Sequence, residues 1–69
     1  MSKWNVDIDR ETDGRWIADV TDIPGCMVYG TTREEAIRKA EVLALRVIAD
    51  RLDAGETVPF IDDAFLVPA

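Results

Sequence analysis

Apolar residues alternate with polar ones in two short stretches near the start of the chain. The apolar positions are Trp4, Val6 and Ile8 in the first stretch, and Trp16, Ala18 and Val20 in the second. A period of two residues is typical of β-strands that bury one face. The Asp13-Gly14 pair between the stretches is a turn signal. The sequence therefore predicts an antiparallel hairpin.

The hairpin has two candidate registers. A two-residue loop of Asp13-Gly14 would place Ile8 opposite Asp19, although residues directly opposite each other lie on the same face of a sheet. A three-residue loop that begins at Thr12 and leaves the glycine left-handed places Ile8 opposite Ala18 instead. We therefore predict the three-residue loop.

A third strand follows a tight turn. Pro24 fixes one backbone angle of the turn, and Gly25 supplies a position without a Cβ restriction. We predict the strand over residues 26–29. If the small Cys26 and Val28 face the core, the residues between and after them face outward.

The outward face of the predicted sheet is partly acidic and partly apolar. The chosen register sets Asp7 directly opposite Asp19, with Asp9 beside them. We refer to this surface as the outer sheet face, and it comprises Asp7, Asp9, Ile17, Asp19, Met27 and Tyr29.

A helix is predicted from about Arg33 to about Ala54. Thr32 and Glu35 have the spacing of a capping box, and Gly55 is a suitable terminator. One apolar stripe at helical spacing would face the sheet: Ala36, Ile37, Ala40, Leu43, Ala44, Val47, Ile48 and Leu52.

Three more apolar residues project from nearly the opposite side of the predicted helix, and we refer to them as the helix seam: Val42, Leu45 and Ala49. The seam could arise by chance in an alanine-rich helix. Its alignment beside Arg38 favours a contact surface, because a solvent-facing side has no need of such a line. We interpret it as a subunit interface.

The predicted fold class is α+β, with the order βββα and a final β. Residues after Gly55 read as a loop, and residues 64–67 predict a short last strand. The architecture is two layers, a sheet covered on one face by one helix. We expect a single domain over residues 1–69.

Size and charge narrow the classes of function. A chain of 69 residues buries only about 60% of the surface that its unfolded form exposes, so we expect homo-oligomers. Fourteen acidic and eight basic residues give a net charge of -6, which disfavours direct nucleic-acid binding and favours a basic protein partner. No apolar run approaches the roughly 20 residues of a membrane span, and the start has no signal-peptide core. We expect no membrane association and a cytoplasmic location.

The chain carries little catalytic chemistry. It has no histidine and a single cysteine, Cys26, which we interpret as a buried core thiol because no basic group lies near it in sequence. Trp4 and Trp16 fall on the helix-facing side of the hairpin, which favours a place in the core over base stacking. We expect no enzyme activity, no cofactor and no metal.

The three aspartates of the outer sheet face have three interpretations. They would suit a two-metal nuclease, because clustered carboxylates bind magnesium. They would also suit a solvated strand face, which leaves the opposed like charges unexplained. A patch that meets a basic partner accounts for the charges and for the neighbouring apolar residues.

The chain resembles the HicB-like antitoxins over about residues 4–59. The motifs that carry the resemblance are Asp22-x-Pro24-Gly25-Cys26, Gly30-x-Thr32-x-Glu34-Glu35-Ala36 and Gly55-Glu-x-Val-Pro59. The resemblance implies a truncated RNase H-like fold with sheet order 3-2-1-4 and no nuclease activity. It also implies a small basic partner, a HicA-type toxin that is an mRNA interferase of double-stranded-RNA-binding shape.

The resemblance assigns no particular catalytic residue, so the expected contact residues come from the outer sheet face. Many members of that family carry a C-terminal DNA-binding domain that represses their operon, whereas this sequence stops at Ala69. We therefore do not expect autorepression by this chain. The alternative interpretation is an orphan domain of the same fold, structural or small-ligand-binding, without a toxin.

Overall fold

The computed structural model describes residues 4–58, together with residues 61, 65 and 68. Within them lie three strands and one helix: β1 (Val6–Arg10), β2 (Trp16–Val20), β3 (Met27–Gly30) and α1 (Arg33–Asp53). The strands form one antiparallel sheet in the order β1-β2-β3. This is the α+β arrangement predicted from the sequence. The predicted last strand over 64–67 lies outside the described residues, apart from Phe65.

The β1–β2 hairpin has the predicted three-residue loop. Ile8 pairs with Ala18, and Asp7 pairs with Asp19. The backbone N–H of Gly14 donates to the carbonyl of Glu11 at 3.0 Å, and Gly14 has a φ of +93°. The left-handed glycine allows the three-residue loop to close in this register. The apolar side chains of both strands therefore lie on the same face of the sheet.

The turn into β3 ends one residue later than predicted. The N–H of Cys26 closes the turn on the carbonyl of Ile23 at 3.1 Å, and Gly25 adopts a φ of +79°. The strand therefore begins at Met27, not at Cys26. Asp22 holds the same turn to the start of the hairpin, because its Oδ2 accepts the backbone N–H of Asn5 at 2.9 Å.

Both ends of α1 are capped by local sequence. The N–H of Glu35 donates to Oγ1 of Thr32 at 3.0 Å, and the Glu35 carboxylate accepts the N–H of Thr31 at 3.0 Å. At the other end Gly55 has a φ of +76°, and its N–H donates to the carbonyl of Leu52 at 3.0 Å. The N–H of the next residue reaches back to Arg51, which completes a Schellman cap.

Small side chains bring the helix close to the sheet. The buried residues of α1 are Ala36, Ala40, Ala44 and Ile48, at i+4 spacing. The Sγ of Cys26 lies 3.8 Å from the carbonyl of Ala40, which accepts its weak hydrogen bond. The helix packs mainly across β2 and β3 and touches β1 least.

Leu52 corrects the predicted stripe. Its side chain is 42% exposed, although the helical period placed it with the core. A helix of 21 residues is about 30 Å long, whereas a five-residue strand spans about 17 Å. The last turn of α1 therefore extends beyond the sheet. Among the described residues, no helix has the length and apolar character needed to cross a membrane.

Candidate functional site

The hairpin register and the third strand bring the six residues of the outer sheet face together. They form two rows across the sheet, Asp7 beside Asp19 beside Met27, and Asp9 beside Ile17 beside Tyr29. Asp7 and Asp9 lie on β1, Met27 and Tyr29 lie on β3, and the central strand contributes Asp19 to the carboxylates and Ile17 to the apolar side chains. The surface is therefore divided into an acidic half and an apolar half.

The apolar half is open to solvent. Met27 is 50% exposed and Tyr29 is 40% exposed, while Ile17, which pairs with Tyr29 from the next strand, is half-buried. The one described helix lies on the other face of the sheet, against the residues that alternate with these. Large exposed apolar side chains that adjoin one another are typical of contact surfaces.

No cation among the described residues balances the acidic half. Asp7 and Asp19 lie directly opposite each other, and none of the three aspartates forms an ion pair with a described residue. Asp9 accepts a single hydrogen bond, from the backbone N–H of Arg10 at 2.8 Å. Like charges on opposed strand positions destabilise a sheet. A cation placed over this half would remove that cost.

Arg15 is a member of this surface that the pattern analysis missed. Its guanidinium lies over the Tyr29 ring at 4.5 Å from the centroid, and its Nε contacts the Asp13 carboxylate at 2.7 Å. Hydrogen bonds from Arg15, first from its backbone N–H, hold the pKa of Asp13 below its ordinary value. Counting back two residues from Ile17 places Arg15 on the outer side, which is the signal that would have found it.

Cys26 does not belong to the surface. The thiol is buried under the helix, and burial, followed by the charge of Asp19, raises its pKa. A raised pKa lowers the fraction of reactive thiolate at neutral pH. The structure thus agrees with the core interpretation. Trp4 and Trp16 also pack against the core, on the side of the sheet that faces the helix.

No group of three or more metal-ligating side chains within reach of one ion occurs among the described residues. An apolar groove does occur, between β1 and the second half of the helix. It has a volume of about 230 Å³. Its lining residues are Trp4, Val6, Val20, Glu41, Ala44, Leu45 and Ile48.

The chain matches no protein-family model, and neither a curated protein nor a solved structure matches it. Several residues of the three motifs described above have structural roles in the fold. Asp22 ties the turn to the start of the hairpin, Gly25 and Gly55 adopt left-handed backbone angles, and Glu35 caps the helix. These motifs therefore bear on the fold, and a partner must be argued from the exposed surface.

Proposed function

We propose that this chain is an antitoxin-like protein that binds and neutralises a small basic toxin of the HicA type through its outer sheet face. A partial RNase H-like fold and membership of the HicB-like family are parts of the same proposal. The motif resemblance supplies the class of partner, and the exposed surface supplies the contact residues.

The observation that carries the proposal is the unbalanced acidic half beside an exposed apolar half. The Asp7 and Asp19 carboxylates are opposite each other and destabilise the free protein by repulsion. A basic partner would be attracted to both carboxylates and would relieve that repulsion. Met27 and Tyr29 offer the kind of large side chains that anchor protein interfaces. A surface that only solubilised the chain would need the charges without the apolar residues.

The proposal includes no catalysis. The sequence has no histidine, and the aspartates lie on an open sheet face. Inhibition of a basic nuclease requires only that an acidic surface cover the groups that hold its RNA. A cytoplasmic location would follow from that role, because mRNA is the target of the partner.

The groove beneath β1 supports a second candidate function, an orphan domain that binds a small apolar ligand. Its lining is almost entirely apolar, with Glu41 as the single charged member. Ligand sites usually enclose about 300–1,000 Å³ and several convergent polar groups. The groove is smaller than that range and has few polar groups, so the outer sheet face is the stronger candidate.

Co-purification from the native host, followed by mass spectrometry, tests the class of function. The antitoxin proposal predicts a basic protein of similar size in a stable complex. Recovery of a small apolar compound without a protein would support the orphan domain instead.

Substitutions on the outer sheet face separate its two halves in binding kinetics. Asp7→Asn together with Asp19→Asn should slow association with the co-purified partner and flatten its salt dependence, because charges steer encounter. Tyr29→Ala should mainly speed dissociation, because it removes a desolvated anchor. The binding free energy should weaken by roughly 2 kcal/mol or more. Surface plasmon resonance at several salt concentrations measures both rates.

Tyr29→Phe is the matched control, because it keeps the ring and the contact with Arg15. It should bind nearly as well as the wild type. If the asparagine pair and Tyr29→Ala both leave the two rate constants unchanged, the outer sheet face is not the binding surface.

A further inference from the structure

The helix seam lies on the solvent side of α1. Leu45 is 63% exposed and Val42 is 43% exposed, and Ala49 one turn later is also exposed. The buried alanines of α1 occupy the opposite side of the helix. No strand or helix among the described residues covers the seam, although Leu45 and Ala49 also line an apolar pocket with Ile61 and Phe65. The exposed part of the line is available for contact.

Two arginines flank the seam. Arg38 lies one turn before Val42, and Arg46 lies one turn after it. Neither forms an ion pair with a residue that the structure describes, whereas Lys39 is held by Glu35 at 3.2 Å. Two exposed acidic residues, Glu41 and Asp53, border the line as well, so the two arginines are the groups that an acidic surface could pair with there.

This surface complements the outer sheet face of the same chain. One has exposed apolar residues beside two arginines, and the other has exposed apolar residues beside three aspartates. None of these charged groups forms an ion pair with a described residue. The two surfaces are on opposite sides of a two-layer molecule, so the helix seam of a chain cannot contact the outer sheet face of the same chain. We propose that the helix seam of one copy docks on the outer sheet face of a second copy.

The charges select this helix-on-sheet contact over symmetric ones. Two seams brought together would set Arg38 and Arg46 against the same residues of the other copy. Two outer sheet faces brought together would place six aspartates in one interface, where Arg15 is already paired with Asp13. Like charges in an interface disfavour the wrong pairing, and the helix-on-sheet contact is the one that sets the seam arginines against the aspartates of the sheet face. That contact also covers the second face of the sheet, as in folds with helices on both faces.

A contact between two different surfaces leaves one of each unused at the ends of the assembly. Further copies can then add, so the mass rises with concentration unless a ring closes. The inference does not depend on the existence of a toxin. Where a basic partner exists, it would compete with the second copy for the same sheet face.

Two variants of the full chain test the proposal by blocking one surface each. The sheet variant carries Asp7→Lys and Asp19→Lys, which would repel the arginines beside the seam. The helix variant carries Val42→Gln and Leu45→Gln, which remove the apolar line and keep good helix formers. Light scattering coupled to size-exclusion chromatography, at about 0.1 M salt, gives the masses alone and in an equimolar mixture.

We expect the wild type to exceed the monomer mass and each variant alone to be monomeric. The mixture should form a one-to-one complex of twice the monomer mass. The intact sheet face of the helix variant would then meet the intact seam of the sheet variant. The complex should grow no further, because the two surfaces left at its ends are both blocked.

A monomeric wild type would overturn the proposal. So would a sheet variant that associates as well as the wild type, since a symmetric seam contact predicts that result. A helix variant that still associates would point to the sheet face alone and would overturn it equally.

A control variant carries Asp50→Lys and Glu56→Lys, which change the net charge as much as the sheet variant does. Both residues are exposed and outside the two surfaces. This variant should keep the wild-type mass, and circular dichroism should give the wild-type helix content for all variants. If the control also becomes monomeric, net charge governs association and the helix-on-sheet contact is wrong.

Discussion

Gly30 ends β3 where the first turn of the helix packs tightly against the strand. A Cβ built on Gly30 would lie 2.5 Å from the backbone N and 2.8 Å from the Cα of Ala36. Both atoms belong to the helix backbone, so no side-chain rotation can make room. The glycine of the Gly30-x-Thr32 motif is thus explained by packing.

Gly30→Ala should lower the free energy of unfolding by about 3 kcal/mol, toward the upper end of overpacking costs. Urea denaturation monitored by circular dichroism gives the change. Adding Ala36→Gly should not restore stability, because the two closest contacts are with backbone atoms.

Gly14→Ala is the comparison, since a Cβ there meets nothing within 4 Å and only the φ of +93° opposes it. It should cost about 1 kcal/mol. Equal costs at the two positions would mean that the helix start yields, and that its close approach does not require glycine.

The first turn of the helix carries a pH-sensitive cap. The Glu35 carboxylate accepts the N–H of Thr31 at 3.0 Å and its hydroxyl at 3.2 Å, and Lys39 lies 3.2 Å away. The hydrogen bond from the Thr31 backbone, and next the one from Lys39, lower the pKa of Glu35 below its ordinary value of 4.5. A lowered pKa in the folded state means that the charged carboxylate favours folding.

The stability that Glu35 contributes should be fully present above pH 4.5 and should be lost as the pH falls through the lower folded-state pKa. Glu35→Gln should therefore be less stable than the wild type at pH 7, and the difference should shrink in acid. Thermal melts from pH 7 to pH 3 measure it.

Glu34→Gln removes a charge from the same helical turn without these hydrogen bonds, so it should cost less at pH 7. A Glu35→Gln difference that stays constant down to pH 3 would show that the carboxylate contributes nothing beyond an amide.

Local signals account for the elements that the sequence predicted well. The hairpin register was predictable because a two-residue loop would have put Asp19 opposite Ile8, and the helix bounds were predictable because both caps are made by adjacent residues. The outer sheet face followed from that register. The roles assigned to it and to the helix seam stay predictions.

The errors arise where local sequence carries no information. Leu52 has the period of a core residue, but the period cannot report that the sheet beneath is shorter than the helix. Cys26 ends a turn instead of opening a strand because its N–H is used by Ile23. Arg15 was missed for another reason: its alternation with Ile17 indicates the outer side, but its position over Tyr29 depends on the pairing of β2 with β3.

Charge across the molecule is poorly balanced in the free chain. The net charge is -6, and the ion pairs between described residues are Arg15 with Asp13 and Lys39 with Glu35. Both are exposed, and exposed pairs contribute about 0–1 kcal/mol each. The repulsion within the acidic half of the outer sheet face opposes folding, as does the overall negative charge. Repulsive charge interactions in the folded chain therefore outweigh attractive ones, and salt screens mainly repulsion.

Sodium chloride should therefore stabilise the fold. The Debye length falls from about 10 Å at 0.1 M to about 3 Å at 1 M, so the urea midpoint should rise over that range. The Asp7→Asn and Asp19→Asn pair should be more stable than the wild type at low salt and should gain less from added salt, because the opposed carboxylates are gone.

Urea midpoints measured at the lowest workable protein concentration keep self-association out of the comparison. A wild-type midpoint that falls with salt would mean that attractive pairs dominate. A less stable asparagine variant would mean that the opposed aspartates do not repel each other. The acidic half would then gain no stability from a cation bound over it.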